Sequence, residues 1–143
     1  MKPLSLLSIV CCCLLLTTVK AQEINYNSIF GQWTYKSPKG KDKISYDFTP
    51  EKKFVAITEH KELELKSAGD FTLDKKGDID RLVLNIHDEG VKTKTQLSYY
   101  FIKFSGTDTL KVQSVSDRQD HWRPETRKNT MVFVRKKEKE KEN

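Results

Sequence analysis

Residues Lys43–His60 read KISYDFTPEKKFVAITEH, and this stretch decides the fold. Across Lys43–Thr49 the side chains alternate, with Ile44, Tyr46 and Phe48 on one face and Ser45 and Asp47 on the other. A period of two is that of a half-buried strand, because successive side chains leave a pleated backbone on opposite sides. Pro50-Glu51-Lys52 turns the chain, and Lys53–His60 is the next candidate strand. So short a connection leaves the two strands no arrangement but antiparallel.

The same rhythm continues outward in both directions. Gly31–Ser37 (GQWTYKS) lies upstream, beyond the turn cluster Pro38-Lys39-Gly40-Lys41-Asp42. Downstream, Glu62–Lys66 (ELELK) alternates so as to expose Glu and bury Leu63 and Leu65, and Ala68-Gly69 ends it. Asp70–Asp74 follows with Phe71 and Leu73 in phase, then a turn, then Asp80–Ile86 with Leu82, Leu84 and Ile86 in phase. A loop over His87–Lys92 leads to the longest run, Thr93–Phe104 (TKTQLSYYFIKF). Ser105-Gly106-Thr107-Asp108 has hairpin-turn composition, Thr109–Val115 is a strand, Ser116–Lys128 is one long polar loop, and Asn129–Arg135 is the final strand. No window keeps a helical period over three turns, and only Gln22–Phe30 has room for a short helical turn. Strands at this spacing read as an antiparallel barrel or sandwich. Closure hides the edge strands, so the expectation is an all-β, eight-stranded, up-and-down meander barrel.

The N-terminus reads as an address. Met1-Lys2 is basic, Leu4 to Val19 is apolar, and Val19-Lys20-Ala21 fits the end of a secretory signal peptide. An uncleaved anchor is the competing reading, and Ser8-Ile9-Val10 before Cys11 makes a poor lipobox. The expected organisation is a signal peptide over 1–21, a barrel domain over 22–136 and a charged tail over 137–143. All three cysteines, Cys11, Cys12 and Cys13, leave with the signal, which removes thiol catalysis and Cys-ligated zinc together. The expected location is periplasmic or secreted, without stable membrane insertion.

Composition agrees with one folded domain. The 143 residues include 7 Phe, 5 Tyr and 2 Trp, too aromatic for a disordered polymer. A formal charge of +6 comes from 26 Lys and Arg against 20 Asp and Glu. Residues 22–117 carry fifteen charges of each sign, so the basicity resides in the C-terminal segment from Arg118. A solvated terminus explains that segment, the alternative being a salt-sensitive contact with an anionic surface, and no nucleic-acid partner is expected.

Gly31-Gln32-Trp33 opens the first strand behind Ile29 and Phe30, and Arg135 closes the last strand, Met131-Val132-Phe133-Val134-Arg135. Over Ile29 to Lys136 the chain resembles the lipocalins and their wider calycin relatives, in particular the short secreted lipocalin-like proteins of Bacteroidetes-type bacteria. The resemblance implies a structural base at which Gly31 permits close approach and Arg135 covers Trp33. It departs from the family in lacking the usual cysteine bridge and a Thr-Asp-Tyr-like motif near the middle.

Chemistry-bearing patterns are sparse. His60, His87 and His121 have no metal-ligand spacing to one another, and Asp74-Lys75-Lys76-Gly77-Asp78-Ile79-Asp80 reads as a β-turn rather than a Ca²⁺ loop. Phosphate-loop, Gly-x-Ser-x-Gly and His-Glu-x-x-His motifs are missing from the sequence. No enzyme activity, metal or cofactor is expected. In Thr93–Phe104 one face carries Leu97, Tyr99 and Phe101 and the other Tyr100, Ile102 and Phe104, and both cannot line one lumen. One reading makes one face ordinary core and packs the other beneath a loop; the functional reading puts Tyr46, Phe48, Tyr99 and Phe101 around an apolar pocket. Trp122 is either a lid over the barrel, a pin for its own loop, or an exposed anchor for a protein partner at 116–128. The functional expectation is a small apolar or amphipathic ligand bound in the lumen without catalysis. The alternative is a filled barrel that acts as a periplasmic interaction module or inhibitor through its loops.

Overall fold

The alternation of Ile44, Tyr46 and Phe48 becomes the inner face of a closed antiparallel barrel with the strand order β1-β2-β3-β4-β5-β6-β7-β8. The computed structural model describes residues 25–87 and 95–137. A single helical turn, α1 (Tyr26–Ile29), is capped by the Asn25 side chain and leads into β1 (Gly31–Lys36). Then come β2 (Asp42–Phe48), β3 (Lys53–His60), β4 (Leu63–Lys76) and β5 (Ile79–His87). The last three are β6 (Thr95–Phe104), β7 (Thr109–Val115) and β8 (Met131–Arg135), and β8 pairs back onto β1. The proposed signal peptide and most of the charged tail lie outside the described residues, as does most of the loop after His87. No helix among the described residues is long and apolar enough to cross a membrane.

Two expectations change. The segments Glu62–Lys66 and Asp70–Asp74 belong to one 14-residue strand, β4, and Gly69 sits within it instead of ending it. A Cβ built on Gly69 would stand 1.9 Å from the backbone oxygen of Asn85 on β5, so β4 and β5 approach more closely here than any side chain allows. Glycine therefore marks a close approach of two strands, a role it shares with turns in its sequence signature. Leu63 and Leu65 are each 70% exposed instead of buried. They keep the inward phase of Gly69 and Phe71, but the β5 pairing stops at Ala68↔His87 and the hairpin tip projects past it.

One end of the cylinder is sealed where its first and last strands meet. Trp33 pairs in register with Arg135 and has no exposed surface. The Arg135 guanidinium lies 4.1 Å from the Trp33 ring centroid and donates to the carbonyls of Ser28 and Phe30 at 2.7 and 2.5 Å. The indole N–H donates to the Ile29 carbonyl at 2.7 Å. The carbonyls at the end of α1, which no helix continues to satisfy, thus receive their donors from the barrel. Gly31 has φ +103 and would bring a Cβ to 3.4 Å from the Arg135 guanidinium, so both its backbone and its small size are used.

Above this base the interior is aromatic. Phe48 meets Phe71 edge-on at 4.9 Å, and Tyr46 lies 5.4 Å from both Phe48 and Phe133. Trp33 lies 5.8 Å from Phe104, and Tyr26 of α1 lies 5.8 Å from Phe71. Offset and tilted pairs of this kind add to the area each ring buries.

Trp33→Ala is expected to cost ~3–5 kcal/mol in chemical denaturation, the range for a large buried aromatic. Gly69→Ala is expected to cost ~1–3 kcal/mol, because backbone must move to admit the methyl group. Equal stability of the Gly69→Ala variant and the parent would show that β4 and β5 can separate freely there.

Candidate functional site

Inward-facing positions of a small eight-stranded barrel are filled or empty according to side-chain size. Here the void lined by Trp33, Tyr46, Phe48, Leu82, Tyr100, Leu110, Val112 and Phe133 holds about 10 Å³. That is room for roughly one water and for no organic ligand. Burial, the largest effect, with Tyr100 beside it, pushes the Tyr46 phenol far above its ordinary pKa, so this hydroxyl stays neutral.

Of the proposed lumen residues, Tyr46 and Phe48 line that void. Tyr99 and Phe101 do not. The register Leu84↔Ser98 and Leu82↔Tyr100 puts Tyr100, and with it Ile102 and Phe104, on the inner face, so Tyr99 and Phe101 face outward. Tyr99 carries the Arg81 guanidinium at 5.0 Å from its ring centroid. Phe101 is fully buried although it lies outside the main core cluster. Its cross-strand neighbours are Arg81 and Gln113, and both are tied to the segment that follows β7. The reading that packs one face of this strand beneath a loop fits these positions.

That segment, residues 116–130, is a strap along the outer wall. Gln113, fully buried, donates to the Arg123 carbonyl and the Thr130 hydroxyl, both at 2.9 Å, and accepts from the Arg123 N–H at 3.1 Å. Arg81 holds Asp74 on β4 at 2.7 Å and Asp117 on the strap at 2.8 Å. Its hydrogen bonds keep the Asp74 carboxyl below the usual carboxylate range. Lys111 holds Glu125 at 2.6 Å and lowers its pKa, with a smaller pull from the Trp122 indole. Within the strap the Asn129 side chain accepts from the Thr126 N–H and donates to the Pro124 carbonyl. Trp122 is half-buried, and its indole nitrogen is shielded from solvent without a hydrogen bond of good geometry. It belongs to this outer strap and lines no part of the interior void.

The histidines serve as surface partners of aspartates. His60 bonds Asp42 across β2 and β3, His87 lies 3.1 Å from Asp70, and His121 lies 3.0 Å from its neighbour Asp120. Among the described residues no group of three or more His, Cys, Asp or Glu could hold a metal ion.

A larger concavity than the interior void lies on the outside. Outward side chains of β8, β1, β2 and β3 line a trough of about 890 Å³. The register builds its middle row as Val134, Thr34, Ser45 and Ile57. Small residues occupy the centre, and branched apolar residues stand on both flanks. Sequence reasoning missed this site because each strand contributes only two or three ordinary outward residues. Compared with known protein families, with curated proteins and with solved structures, the chain matches none.

Gln113→Leu is expected to release the strap while leaving the barrel folded. Trypsin should then cut after Arg118, Arg127 or Lys128 several-fold faster than in the parent, since the part-buried Arg123 N–H loses its acceptor. Unchanged cleavage would mean that the ion pairs of Arg81 and Lys111 hold the strap unaided.

Proposed function

We propose that this chain is an exported, non-catalytic, lipocalin-like barrel protein that works as an interaction module, engaging a protein partner through its outer surfaces. The observation that carries this reading is the packing of the described inward side chains around Trp33, Tyr46 and Phe133, which leaves only a small void between them. A cup for a small apolar molecule needs on the order of 300 Å³ or more, whereas the void here holds about 10 Å³. Export rests on the basic, apolar and small-residue order of residues 1–21. The absence of cysteine from residues 22–143 suits a domain that relies on its core in an oxidising compartment. The strap at 116–130 supports the reading from the other side. It is a long connection held in one conformation by buried hydrogen bonds, and it carries exposed Arg118, Arg123, Arg127 and Lys128. An ordered loop presents such charges without a large entropic cost on binding.

Native mass spectrometry of the protein purified from its own host tests the choice. The expected result is the bare mass of the chain under conditions that keep it folded. A reproducible small-molecule adduct that is lost on unfolding would overturn this reading in favour of cargo in the barrel.

A further inference from the structure

The outer trough has a floor, two rims and unspent charge. On the floor, Thr34 and Ser45 are paired directly, with their hydroxyls 3.5 Å apart. Val132 and Val134 form one rim on β8 and are 43% and 54% exposed; Val55 and Ile57 form the other on β3. Three strand spacings separate the rims, ~14 Å along the sheet. An α-helix with its side chains is ~10–12 Å across, so it fits lengthwise between them.

The charges in the lining are unequally committed. Lys43 is paired with Glu59 at 2.6 Å, and Asp47 accepts from Gln32 at 3.2 Å. Arg135 is turned inward to Trp33. Lys36 and Lys136 remain, and among the described residues neither has an ion-pair partner. They stand on the same side of the trough near its two ends: Lys136 is level with Gln32, to whose carbonyl its N–H donates at 2.8 Å, and Lys36 lies four residues further along β1. Four strand residues span ~13 Å, close to two turns of helix at ~11 Å.

We propose that this trough docks an amphipathic α-helix of a partner protein lying along the strands, with its apolar side chains between Val132 and Val134 on one rim and Val55 and Ile57 on the other, above Thr34 and Ser45, and with carboxylates two turns apart on Lys36 and Lys136. The proposal rests on the interaction-module reading and names the surface and the chemistry of its partner. A second copy of the chain fits less well. Its own trough would bring the same unpaired lysines, while Asp47 and Glu59 are already engaged. Like charges facing each other oppose association.

The probe is a peptide of ~15 residues with Leu at helical spacing and Glu on both sides of the stripe, compared with the same peptide carrying Lys for Glu. Titrated into the intact protein, the Glu peptide is expected to shift the backbone amide resonances of Thr34, Ser45, Ile57 and Val134. It should bind roughly tenfold tighter than the Lys peptide at low salt, as two surface ion pairs allow. Ser45→Arg, an outward substitution that leaves the core untouched, should abolish those shifts with the far-UV circular dichroism unchanged. Lys36→Glu combined with Lys136→Glu should reverse the preference between the peptides. Shifts confined to residues 116–130, equal binding of both peptides, or peptide-free self-association through the trough would each overturn the proposal. No trough shifts with a bare native mass would sink the trough alone, whereas a small-molecule adduct would sink the interaction-module reading on which it rests.

Discussion

Everything in this barrel depends on the contact between Trp33 and Arg135. The guanidinium performs three tasks at once: it covers the indole, satisfies two carbonyls at the end of α1, and joins the last strand to the first. No other cation among the described residues is placed to do this, and a lysine at 135 would supply one point charge in place of a planar fork. The indole returns the contact by donating to the Ile29 carbonyl. Helical turn, first strand and last strand are therefore fixed by one cluster, and the cylinder inherits its closed end from it.

A closed end does not make a cup. The residues that form the wall of this barrel are too large for its diameter, and rings from β1, β2, β4, β6 and β8 meet in the middle. The middle of the barrel around Trp33, Tyr46 and Phe133 is taken up by internal packing. On the outer surface two regions differ from an ordinary solvated wall: the strap clasped by Gln113, and the trough whose centre is Thr34 and Ser45. One is polar and cationic, and the other sets Val and Ile on either side of hydroxyl and charged side chains.

Much of this was legible in the residues. The alternation over Lys43–Thr49 gives β2 with its correct inner face, β3 and Thr109–Val115 are strands where the pattern puts them, and Arg135 meets Trp33 as the family resemblance implies. Gly69 misled because glycine looks the same at a strand end as at a close approach between strands, and only the position of the Asn85 carbonyl separates the two. Leu63 and Leu65 have the right phase, but phase says nothing about whether an opposite wall exists at that height. Tyr99 and Phe101 were ambiguous because their strand is apolar on both faces, the outer one being roofed by a strap some twenty residues further along the chain. The trough was invisible for a simpler reason: it is a property of four neighbouring strands and of none of them singly.

The sealing of the base also constrains when the fold can be finished. Arg135 reaches carbonyls more than a hundred residues earlier, so the ring cannot close until β8 has arrived. Until then β1 and β7 each keep a row of unpaired amides, the template on which foreign strands add. Such distant pairing is slow to find. A chain emerging from its N-terminus thus stays an incomplete hoop until β8 emerges, and any premature stop before Met131 leaves it permanently open-sided.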